Sequence, residues 1–152
     1  MHDLFDAASR REMLDRLDRL GRLAPDSPRQ WGKMSPSQML AHCANALEVA
    51  AGEQPRKQAL IGRLLSPVVR KKFLGDAPFP RNSPTDPGFV IADGREFAAE
   101  KQRLRSVVDR FVILGPEHAA ACTHSFFGRL SGEEWGVLMG KHLDHHLRQF
   151  GV

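Results

Sequence analysis

Apolar side chains recur at three- and four-residue spacings in four separate stretches. Between the second and third stand four prolines, Pro78, Pro80, Pro84 and Pro87. That arrangement leaves few folds open. Spacings of three and four draw an apolar stripe down one face of a helix, whereas a half-buried strand needs strict alternation, of which the chain has no convincing run. Proline has no N–H to donate and clashes with the preceding turn, so residues 76–87 read as a long connection without regular structure. The expectation is an all-α protein, a four-helix bundle with a long crossover between helices two and three, in one domain spanning 1–152. A three-helix core with an appended helical arm is the competing architecture.

The first helix is expected from Ala8 to Leu23, with Met13, Leu14, Leu17, Leu20 and Leu23 on its stripe, stopping at Pro25-Asp26-Ser27-Pro28. The second opens at Ser35-Pro36-Ser37-Gln38. Serine caps, proline suits the first helical position, and Gln38 reaches back to complete a capping box. It continues to about Ala51, and Gly52 and Pro55 end it. The third runs from about Arg95 to Leu114, carries Phe97, Leu104, Val107, Val108 and Phe111 inward, and closes at Gly115-Pro116. The fourth starts at Ser131, with Glu134 completing a second capping box, and reaches Gln149. Residues 56–75 differ in kind. Their apolar residues, Leu60 to Leu74, are interrupted by Pro67 and flanked by Arg56, Lys57, Arg63, Arg70, Lys71 and Lys72, so only short helical turns are expected.

Composition narrows the function. No run of about 18 apolar residues occurs, and charge is interspersed from the first residues, so neither a membrane span nor a secretion signal is read and a cytoplasmic location is expected. The basic stretch 56–72 invites a nucleic-acid or membrane reading. Net charge is only +4, however, and no aromatics are interleaved there for base stacking, so nucleic acid is not expected as a partner. Apolar residues in 60–74 offer a face for a homodimer. Cys43 and Cys122 lack CxxC spacing and read as packed, reduced thiols.

Histidine is the unusual residue, with seven in 152. His142 and His146 are four apart on the fourth helix and share a face, one turn above the other. That face continues backward through Met139, Leu138 and Trp135, so both imidazoles point into the bundle. Paired buried imidazoles need partners for their nitrogens, and a divalent metal satisfies both at once. His42, between Met39 and Ala46 on the apolar face of helix two, is the candidate third ligand. A zincin is excluded because Leu143 stands where the general-base Glu belongs, and no Glu-x-x-His supports a di-iron site. His124 and Phe126-Phe127 precede the fourth helix and are placed at the mouth of the cleft. Gln149, three residues after His146, is placed to hydrogen-bond a ligand imidazole, with Asp144 and Glu48 as alternatives of a type usually solvated. Trp31 is expected to staple the start of helix two against Met39 or the core, and Trp135 to fill the core below the metal. His2, His118 and His145 are assigned to the surface.

The stretch Trp31-Gly32-Lys33-Met34-Ser35-Pro36-Ser37-Gln38-Met39-Leu40-Ala41-His42 resembles the opening of helix two in the DinB/YfiT-like superfamily. His142 to Gln149, as His-x-x-His-His-x-x-Gln, resembles its last-helix motif. The segments His124-Ser125-Phe126-Phe127-Gly128 and His145-His146-Leu147-Arg148-Gln149-Phe150-Gly151 are similar to a branch of short bacterial domains within it, although Ser125 stands where that branch carries proline. The resemblance implies a metal-binding bundle with His42, His142 and His146 as ligands, one divalent ion, often nickel or zinc, and relatives that include thiol-dependent S-transferases and isomerases.

The functional expectation is therefore a metal-dependent enzyme acting on a small-molecule substrate. It would transfer groups to a low-molecular-weight thiol or hydrolyse a bond, because a divalent ion with open positions lowers the pKa of a bound thiol or water. A non-catalytic bundle that binds a metal or ligand for structure or sensing is the alternative.

Overall fold

The computed structural model describes residues 3–20, 27–83 and 86–152. Helix α1 spans Ala7–Leu20, α2 Pro36–Ala50, α3 Leu60–Leu74, α4 Phe97–Ala121 and α5 Gly132–Gln149. A single 3-10 turn covers Pro87–Phe89, and a two-stranded antiparallel ladder pairs β1 (Thr123–His124) with β2 (Gly128–Arg129). Four of the helices make the bundle: α2 lies against α4 and α5, and α5 also against α1 and α4. The crossover from α2 to α4 carries α3, which lies on α5.

Local chemistry sets the bundle helices. Asp6 accepts the Ser9 N–H at 2.8 Å and so caps α1. Both capping boxes form: Ser35 with Gln38 on α2, and Ser131 with Glu134 on α5. The expected end of helix one, with Leu23 and the Pro25-Asp26 stop, lies outside the described residues. Apolar stripes then meet in one cluster, with Met13 and Leu17 from α1, Met39, Leu40 and Leu47 from α2, Leu104 and Phe111 from α4, and Trp135, Leu143 and Leu147 from α5. Gly136 lets the N-terminal segment lie on α5, since a Cβ there would sit 2.1 Å from the Asp3 carboxylate. The Leu4 N–H donates to the Gly136 carbonyl at that contact.

Three segments differ from the sequence reading. Residues 60–74 are not short turns but one fifteen-residue helix running through Pro67. Proline deprives only the carbonyl of Arg63 of its helical donor. Both residues are exposed, so that carbonyl lies on the solvent side. Helix α3 is held from outside: Lys141 donates to the carbonyls of Phe73 and Gly75 at its C-terminal end, and Arg70 forks onto Glu134. Second, α4 begins at Phe97 with Glu96 as its cap, and continues past the expected stop. Gly115 takes the left-handed region (φ 80°) and a further helical piece follows to Ala121. Third, the β1–β2 hairpin was not expected, because two residues per strand are too few to show alternation.

Small residues let α3 dock. A Cβ on Gly62 would lie 2.3 Å from the Phe126 carbonyl oxygen. The Ala59 N–H donates to the Ser125 carbonyl at 2.8 Å, and Gln58 Nε2 to Phe126 O at 2.9 Å. The Ser125 side chain also bonds Asp86, a contact proline could not make. With the small side docked, Leu60, Ile61, Leu64, Leu65 and Val68 face outward, Leu60 at 80% exposure, which is the face on which a homodimer is expected.

Candidate metal centre

His42 sits on the inward face of α2 and is buried. The crossover returns over it. Asp86 accepts the Gly88 N–H at 2.9 Å, starting the 3-10 turn at Pro87, and the turn delivers the Phe89 carbonyl to His42 Nδ1 at 3.0 Å. A carbonyl only accepts, so Nδ1 carries the proton and Nε2 is left bare. Across the bundle, His142 Nε2 faces His42 Nε2 at 2.9 Å. One turn on, His146 is buried with Nδ1 2.9 Å from Gln149 Oε1, while Gln149 Nε2 donates to the Trp31 carbonyl at 2.8 Å. Because Gln149 spends its amide hydrogens on Trp31, its oxygen is what His146 meets. His146 therefore donates from Nδ1 and turns a bare Nε2 inward.

Among the described residues, these three histidines are the group able to hold a metal, each offering one ligand atom, with all three atoms within 4.8 Å of one another. At about 2.1 Å per bond, two ligands of one ion stand about 3.0 Å apart at a right angle and about 3.4 Å apart in a tetrahedron, so a cation would hold the His42 and His142 nitrogens slightly further apart than their 2.9 Å hydrogen bond does. Electrostatics suit the same role. Burial holds His42 below its ordinary pKa against the opposing Phe89 hydrogen bond. Burial, then the neighbouring His146 and His42, hold His142 well below its own. Burial, reinforced by His42, takes His146 to about 3. All three rings are neutral near pH 7, the state in which imidazole binds a cation. The donor set of three imidazoles fits a divalent transition metal.

The expected neighbours divide. Gln149 reaches His146 as placed. His124 lies at the start of the hairpin, where its Nδ1 accepts the N–H groups of Phe126 and Phe127 at 3.0 and 3.1 Å. Its proton is thus on Nε2, and burial lowers its pKa to about 4 against the opposing charge of Asp86. Its charge, with those of the other site histidines, opposes protonation of His142. Phe127 is not an open cleft residue: it is buried in an aromatic cluster with Phe73, Phe126 and His124. Trp135 fills the core at 0% exposure, its ring 5.4 Å from His124.

Other placements are corrected by packing. Trp31 does not staple α2. It is half-buried against His145, and its backbone carbonyl receives Gln149. His145 is not a surface residue: its ring packs 5.0 Å from His146 and 6.0 Å from Phe79, and it bonds the Phe79 backbone. Asp144 and Glu48 are buried rather than solvated. Asp144 takes Arg16 at 2.6 Å and Arg148 at 3.0 Å, and Glu48 takes both Arg103 and Gln54. His118 stays exposed, bonding the Ala51 carbonyl at 2.9 Å, while His2 lies outside the described residues. The Phe89 carbonyl is the site group that sequence reasoning missed. Its signal was Asp86-Pro87-Gly88, a cap followed by proline at the first helical position.

Comparison with known proteins agrees with this architecture. Neither the curated proteins nor the solved structures contain a significant match. The sequence description of the DinB superfamily, a family of metal-binding helical proteins, matches residues 6–150. With nearly the whole chain matched, all-helical in architecture and holding a three-histidine group between α2 and α5, the protein belongs to the DinB superfamily.

Proposed function

We propose that this protein is a metal-dependent enzyme, using nickel or zinc at His42, His142 and His146 to activate a low-molecular-weight thiol for S-transfer, or water for hydrolysis. The observation carrying this reading is the pair of pinned tautomers. Phe89 O and Gln149 Oε1 accept hydrogen bonds from the protonated Nδ1 atoms of His42 and His146, so the bare nitrogens turn toward the same point. A divalent ion there supplies Lewis acidity that makes a thiol or water acidic near neutral pH. The protein's part is to hold three neutral imidazoles in place, with the Phe89 ring packed edge-on against His42.

An external thiol suits the chain's own cysteines. Cys43 is fully enclosed, and burial pushes its thiol far up; burial also raises that of Cys122. Neither is a ready thiolate, so the nucleophile comes with the substrate. The test is turnover by nickel- or zinc-loaded protein against panels of small thiols with electrophiles and of hydrolysable esters and amides. Turnover absent in His42→Ala supports the proposal. Silence across both panels, with metal raising the melting temperature, favours a structural or sensing role.

A further inference from the structure

Beside the metal centre, on the other side of His145, lies a half-open cleft of about 570 Å³ whose walls include Trp31, Phe79, Arg81, His145 and Arg148. A volume of that size takes a small organic molecule. Its walls combine two kinds of chemistry. Trp31 and Phe79 border the cleft with aromatic rings that both pack, tilted, against His145, at 5.5 and 6.0 Å between centroids. Arg81 and Arg148 offer guanidinium groups, and the acid that borders the cleft is already engaged. Asp144 is taken by both Arg16 and Arg148, and Arg16 in turn also reaches Glu12 and the Val152 oxygen. Arg81 itself lies over the Trp31 ring at 4.5 Å and makes no ion pair among the described residues. An arginine pre-oriented on an aromatic face, with no hydrogen-bond or ion-pair partner among the described residues, is suited to a planar anion.

The cleft is tied to the histidine centre. His145 forms a wall on the cleft side and stacks edge-on to His146 on the other. Gln149 bonds His146 with one end and the Trp31 backbone with the other.

We infer that this cleft binds the anionic end of the substrate handled at the metal centre, a small carboxylate or phosphonate with a flat apolar body, seated on Trp31 and Phe79 and held by Arg81 and Arg148. The role as substrate rests on the catalytic reading above, whereas the binding of such an anion does not. Within the basic stretch of α3, Arg70 is already engaged by Glu134.

The test is calorimetric titration with benzoate, phenylphosphonate and the neutral benzamide, on zinc-loaded wild type and on metal-free His142→Ala protein. Both anions are expected to bind both proteins, with benzamide about tenfold weaker. Arg81→Gln, at an exposed position with no fold-bearing ion pair, should bring benzoate down to the benzamide level and leave benzamide unchanged. Equal binding of benzamide and benzoate, or unchanged benzoate binding in Arg81→Gln, overturns the inference. Anion binding found only on the zinc-loaded protein also overturns it, because the anion would then be a ligand of the ion. Anion binding on metal-free protein without turnover in any panel leaves the cleft standing and removes the catalytic reading.

Discussion

His42 and His142, a hundred residues apart in sequence, face each other through their Nε2 atoms at 2.9 Å. His42 Nδ1 is committed to the Phe89 carbonyl, so in the metal-free protein the hydrogen between the two rings belongs to His142 Nε2. A bound cation needs both nitrogens bare, and the His142 proton must then move to Nδ1. Long-range nitrogen–proton NMR should show His142 as the Nε2–H tautomer without metal and as Nδ1–H with it. An unchanged tautomer on adding zinc would show that His142 is not a ligand. In the same preparations His42→Ala and His142→Ala should fall to background metal by elemental analysis, against about one ion per wild-type chain.

Gln149 orients His146 and is itself oriented by Trp31. Replacing it with alanine frees the ring to rotate and removes the acceptor that holds its proton on Nδ1. Metal affinity measured by competition with a chelator should drop about 10- to 100-fold, with helix content unchanged by circular dichroism. An affinity equal to wild type would show that packing alone fixes His146.

The metal-free protein should lose stability in mild acid. An unfolded imidazole protonates near pH 6.5, whereas burial, with His42 nearby, holds folded His146 down to about 3. Between those values the unfolded chain binds the extra proton, so stability is full above about pH 6.5 and falls as the pH drops. His146 alone should cost about 2 kcal/mol between pH 7 and pH 5, and His42 and His142 shift in the same direction. Urea midpoints at the two pH values measure this. Equal midpoints would mean that the rings are charged in the folded state.

Gly62→Ala separates helix propensity from docking. In an undocked helix the change gains about 1 kcal/mol. Here the new methyl meets the Phe126 carbonyl at 2.3 Å, and a net loss of about 1–3 kcal/mol is expected in thermal unfolding. A higher melting temperature would show that α3 does not rest on the hairpin.

The four bundle helices, their two capping boxes and the inward faces of His42, His142 and His146 were legible in the sequence, because each depends on residues three or four apart along one helix. The crossover was legible as a connection, since prolines act locally. What surrounds the imidazoles was not. Phe89 reaches His42 across 47 positions and Trp31 reaches Gln149 across 118, and no local pattern encodes a partner that only folding brings near. The same holds for Asp144 and Glu48, whose residue type suggests solvent until arginines from other helices cover them. It holds for α3 as well, where Pro67 reads as a break until Lys141 and Glu134 of α5 hold the segment as a helix. Periodicity and caps thus determined which residues face inward. Long-range packing decided which nitrogen of each ring is bare, and which side of α5 became a cleft rather than surface.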